Sequence, residues 1–133
     1  MKPYWLLAFL LFTTSAHAYS SRELREDCQA AEQFFDTGKS TDPYQSVQSA
    51  RCISYVAGFA DSYAVSDYLA EKVGVKLNAF CLPDTPDLSA RLVRAVLAQT
   101  EHLPPNDNSS PARLVAGAFA RSFPCSESLE PKR

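Results

Sequence analysis

The sequence predicts an all-α fold, a small disulfide-bonded bundle of about four main helices. Three observations carry this. Apolar residues recur at helical spacing in four segments, each bounded by capping or breaking residues. No stretch alternates apolar and polar residues as a half-buried strand requires. The cysteines are even in number and all follow an export signal, so they read as disulfides formed in an oxidising compartment.

The chain has 133 residues, which favours one domain. Its start, MKPYWLLAFLLFTTSAHA, places Lys2 before an apolar run from Tyr4 to Phe12, and Ala16-His17-Ala18 has the small-x-small form of a cleavage site. These features mark residues 1–18 as a secretory signal peptide. The run is too short for a spanning helix, which needs about 20 apolar residues. A lipid anchor would need a cysteine directly after it, and the first is Cys28. The expected product is residues 19–133, a single helical domain in the periplasm with no membrane attachment. Cleavage removes Lys2, so 12 of the 13 basic side chains remain against 15 acidic ones, a charge of −3. There is no run of Lys and Arg, so a nucleic-acid partner is not expected.

The first helix should run from Glu23 to about Phe35. Ser20 and Glu23 fit a capping box, Leu24, Cys28, Ala31 and Phe35 share one face, and Gly38 is the stop. The second starts at Asp42-Pro43 and continues to Lys72, with Gly74 ending it; Cys52, Val56, Phe59 and Tyr63 keep its period. Gly58 lies inside this helix, where glycine costs about 1 kcal/mol relative to alanine. A backbone packed closely against it is the expected reason. The aromatic series Tyr55, Phe59, Tyr63 and Tyr68 reads as core, and Asp61 among them as a solvated carboxylate.

VKLNAFCLP, residues 75–83, is a connector, partly extended. Asp84-Thr85-Pro86-Asp87 supplies a cap and a first-turn proline for the third helix, whose face is Leu88, Leu92, Val96 and Gln99. HLPPNDNSSP, residues 102–111, is the one long breaker-rich loop. Ser110-Pro111 opens the last helix, Leu114 to Phe123, which stops at Pro124.

Consecutive helices with short connections pack antiparallel. That brings Cys28, mid-way along the first helix, to Cys52 in the second. It also brings Cys81, just before the third, to Cys125, just after the fourth. Each closure contributes about 2–4 kcal/mol, mainly by restricting the unfolded chain. Zinc is the poorer reading: there is no C-x-x-C, and His102 is the only histidine after the signal peptide. The missing C-x-x-C-H also excludes covalent haem. No metal or cofactor is expected.

Catalytic readings find little. A thiol nucleophile would need a free cysteine near His102, no G-x-S-x-G marks a serine, and no glycine-rich phosphate loop exists. Nothing brings Asp61 and Glu101 together as a carboxylate pair. Asn108-Ser109-Ser110 matches a glycosylation sequon, relevant only in a host that glycosylates.

Three stretches carry a resemblance together: CISYVAGFADSY at 52–63, FCLPD at 80–84 and PARLVAGAFARSFPC at 111–125. With the earlier cysteine, the chain resembles the Rap/Tai-type immunity proteins of type VI secretion. The matching residues are Cys52, Tyr55, Gly58, Asp61, Cys81, Pro83, Phe123, Pro124 and Cys125. TEHLPPNDNSS, residues 100–110, departs from the tighter His-Pro turn of that family.

The resemblance implies a periplasmic, helical, disulfide-bonded protein without catalytic activity. It would bind a secreted peptidoglycan amidase toxin and occlude its active site, as a homodimer in some members. The loop from His102 to Ser110 is the expected insertion element, with Glu101, His102, Pro104, Asn106, Asp107 and Asn108 as partner contacts. The alternative is a periplasmic stress chaperone or housekeeping binding protein on a similar helical scaffold. A small hydrolase is a third reading that lacks an identified nucleophile or metal.

Overall fold

The computed structural model describes residues 18–104 and 107–126. Four helices follow in order: α1 (Ser21–Thr37), α2 (Pro43–Glu71), α3 (Leu88–Thr100) and α4 (Pro111–Ser122). Among the described residues there is no strand, and the connector after α2 is not extended in a ladder. The expected signal peptide lies outside the described residues.

Local chemistry sets the helix ends. Ser20 accepts from Glu23 N–H, while the Glu23 carboxylate takes the Ser20 N–H, closing the capping box. Gly38 ends α1 at φ 68°, a left-handed conformation suited to glycine. Asp42 caps α2 through Gln45 N–H at 2.8 Å, with Pro43 at the first helical position. Ser110 caps α4 through Arg113 N–H, again with proline following. The start of α3 differs from expectation. Pro86 lies before the helix, Asp87 makes no side-chain capping bond, and the buried Thr85 hydroxyl has no hydrogen-bond partner. The turn is closed by backbone bonds instead, Leu88 N–H to Thr85 C=O at 3.2 Å.

The core draws on every helix: Leu24, Cys28 and Ala31 from α1, Cys52 and Val56 from α2, Leu92, Val93 and Val96 from α3, and Val115 and Phe119 from α4. Phe119 is fully buried, with Phe80, Phe59 and Phe123 edge-on at 5.4, 5.7 and 6.0 Å. Such rings gain about 0.5–1.5 kcal/mol per pair beyond area burial. Tyr63 stacks on Phe80 at 3.9 Å, and its hydroxyl accepts Ala79 N–H at 2.8 Å, so the connector is tied to α2.

Both disulfides form as expected. Cys28–Cys52 joins α1 to α2 with a Cα separation of 5.0 Å and lies wholly in the core. Cys81–Cys125 has a Cα separation of 4.9 Å and sits at the surface, beside a backbone bond from Cys81 N–H to Phe123 C=O at 2.8 Å. The terminal cysteine therefore pins the end of α4 to the segment preceding α3.

Two expectations about α2 are corrected. No backbone packs on Gly58: a Cβ there would meet nothing within 4 Å, because the residue points outward. The aromatic series also splits. Tyr55, Phe59 and Tyr63 pack against the core, whereas Tyr68 is exposed, one turn beyond the helices that cover the first half of α2.

Candidate functional site

The segment between α3 and α4 is a structured loop. At its start the helix tightens into turns, His102 N–H bonding Gln99 C=O and Leu103 N–H bonding Thr100 C=O, and Leu103 packs against the core. At its end the Asp107 carboxylate accepts Ser109 N–H at 3.2 Å and also the Ser109 hydroxyl. Ser21, the first residue of α1, donates its hydroxyl to Ser109 C=O at 2.5 Å. The loop is thus fastened at both shoulders and to α1.

This fastening sorts the expected contact residues. Glu101, His102, Pro104 and Asn108 are exposed, and they share the loop's outer surface. Asp107 is half-buried and turned to the loop's own backbone. Asn106 lies outside the described residues. Beside the loop runs a cleft of about 440 Å³ lined by Arg22, Arg25 and Gln29 of α1 and by Leu103, Pro104 and Asp107. The α1 residues were not legible as site residues, since only tertiary packing sets them next to a loop some 80 positions away, as Ser21 to Ser109 already shows (a separation of 88).

Next to this region the buried Asp27 organises a polar cluster. Its carboxylate takes the Tyr19 hydroxyl at 2.6 Å and pairs with Arg51 Nε at 3.2 Å. The Arg51 guanidinium lies over the Tyr19 ring, 4.9 Å from its centroid. Burial, then the hydrogen bond to Asp27 and its charge, push the Tyr19 phenol well above the ordinary tyrosine range. Burial raises Tyr55 as well, whose ring lies 5.3 Å from that of Tyr19. The sequence held one signal for this cluster: Asp27 falls beside Cys28 on the apolar face of α1, where a carboxylate requires a partner.

All four cysteines are held in bridges, so no thiol stands near His102 to serve as a nucleophile. Among the described residues no helix is long and apolar enough to cross a membrane. What the geometry offers is a rigid, exposed polar ridge, braced from beneath, beside a polar cleft. A family model described as Rap1a immunity proteins matches residues 20–125, from the cap of α1 to the last bridged cysteine. No curated protein and no solved structure matches the chain.

Proposed function

The chain belongs to the Rap1a immunity protein family, and from that membership we propose that it is a periplasmic immunity protein which binds a type VI secreted peptidoglycan amidase and occludes its active site. The signal peptide over residues 1–18 delivers it to the compartment where that toxin acts. Pairing of two copies, which the resemblance implies for some members, is part of the reading.

The observation that supports the mode of inhibition is the loop's fastening. Blocking a concave active site needs a projection that does not lose much freedom on entry, because each side chain or loop ordered on binding subtracts from affinity. Here Leu103, Asp107 and the bond from Ser21 hold the loop in place before any partner arrives. Glu101, His102, Pro104 and Asn108 are then free to meet the toxin. Inhibition requires no chemistry from this chain.

The test is titration of the amidase encoded beside it with the chain purified from the periplasm, following peptidoglycan cleavage. One-to-one inhibition is expected. Glu101→Lys combined with His102→Ala should weaken binding at least tenfold, about 1.4 kcal/mol, with unchanged circular dichroism. Absence of both complex and inhibition at micromolar concentration removes the reading for that pair. Broad suppression of client aggregation, without tight binding of one toxin, would support the chaperone alternative.

A further inference from the structure

α2 is apolar on two opposite sides. One side carries the buried residues Ser49, Cys52, Val56 and Ala60. The other faces solvent along the whole helix: Tyr44, Val47, Val65, Tyr68 and Leu69 are each between 55% and 69% exposed. At 29 residues α2 is far longer than the 17, 13 and 12 residues of its neighbours. Beyond Ala60 none of its residues is buried. Isolated exposed apolar residues are ordinary; a stripe of several hundred Å² marks a contact surface.

The stripe has an internal order. Positions 44, 47, 51, 54, 58, 61, 65, 68 and 72 advance in steps of three and four, which keeps them on one side of a helix. Its two ends are apolar and its middle is small, with Ser54, Gly58 and Ser62. Within one copy Gly58 has no packing reason and remains less favourable than alanine by about 1 kcal/mol. A second helix crossing there would supply that reason, because the missing Cβ lets two backbones approach.

We propose that this stripe is where two copies of the chain pair, with their α2 helices antiparallel and Gly58 at the two-fold axis. This deepens the pairing named above and rests on it. A symmetric contact demands a surface that fits itself, and this one does. Residues equally far from position 58 meet. Val47 of one copy meets Leu69 of the other, and Ser54 meets Ser62. Tyr44 meets Lys72, whose ammonium already lies 4.7 Å from the Tyr68 ring and would sit between two aromatic faces. Arg51 falls opposite Val65, one turn from Asp61 of the second copy, an opposite charge. The apolar ends and small centre together approach the roughly 800 Å² per partner of a stable interface.

Sedimentation equilibrium of the purified chain, without toxin and unreduced, tests this. The wild-type chain should show the mass of two copies at micromolar concentration. Gly58→Arg should show the mass of one, with its dissociation constant for pairing raised at least a hundredfold. Its helicity and melting should be retained, since the new side chain has open space in a single copy. Leu69→Lys should act likewise. A wild-type chain of single mass overturns the pairing itself. A dimer that survives both substitutions overturns this face and leaves pairing standing. Loss of toxin inhibition by a monomeric Gly58→Arg chain, with wild type also monomeric, assigns the face to the toxin and overturns the second copy. Toxin inhibition is read separately, so these failures are distinct from failure of the immunity reading.

Discussion

Asp27→Ala should be among the most damaging single changes to this fold that leave the apolar core and disulfides untouched. The residue is 2% exposed and stands on the buried face of α1 beside Cys28. Its carboxylate accepts the Tyr19 hydroxyl at 2.6 Å, a charge-assisted bond of about 1.5–3 kcal/mol. It also pairs with Arg51, whose side chain is 44% exposed, so that pair contributes at most about 1 kcal/mol. Stranding a wholly buried partner would cost about 3–5 kcal/mol, but here both Arg51 and Tyr19 can turn to water. The sum is a loss of about 2–4 kcal/mol, or a fall in melting temperature of about 10–20 °C for a domain of this size. Thermal and urea unfolding followed by circular dichroism, without reductant, give the value. A loss under about 0.5 kcal/mol would refute the reasoning. So would strict additivity of Asp27→Ala and Tyr19→Phe in a double-mutant cycle, because coupled partners must deviate from it.

Three further outcomes follow from the same geometry. Tyr19 is held protonated in the folded chain, so its contribution is fully present below the ordinary tyrosine pKa of about 10 and declines as pH rises above it, when the unfolded chain ionises first; melting of wild type against Tyr19→Phe from neutral to alkaline pH should show this difference, with Tyr55 cancelling between the two. Limiting thiol should open the surface bridge Cys81–Cys125 before Cys28–Cys52, whose sulfurs are sealed in the core; alkylation and peptide mass mapping decide, and early labelling of Cys28 would contradict it. Ser21→Ala removes a bond bracing the loop and should lower stability by about 1 kcal/mol or less while accelerating dissociation of the toxin complex; an unchanged dissociation rate would show that this brace is irrelevant to binding.

Much of the architecture was legible from local signals. The capping box at Ser20 and Glu23, the Asp42-Pro43 and Ser110-Pro111 starts, and the glycine at 38 each act within one helical turn, so they read the same in sequence and structure. The pairing of Cys28 with Cys52 and of Cys81 with Cys125 followed from placing consecutive helices antiparallel. The α3 start was misjudged because several candidate caps compete in Asp84-Thr85-Pro86-Asp87, and the turn is closed by backbone bonds alone.

The sequence by itself determined which segments are helical, where they stop and which sulfurs join, because those choices depend on side chains only a few residues apart or on the order of the helices. Only the tertiary structure decided that Gly58 faces open space, that Tyr68 points away from the core, that Asp27 gathers Tyr19 and Arg51, and that Ser21 braces a loop it lies far from in the chain. The physical reason is burial. Whether a face is covered depends on the lengths and crossing of neighbouring helices, and α2, apolar on both sides, carries no periodic signal to say which side they will cover.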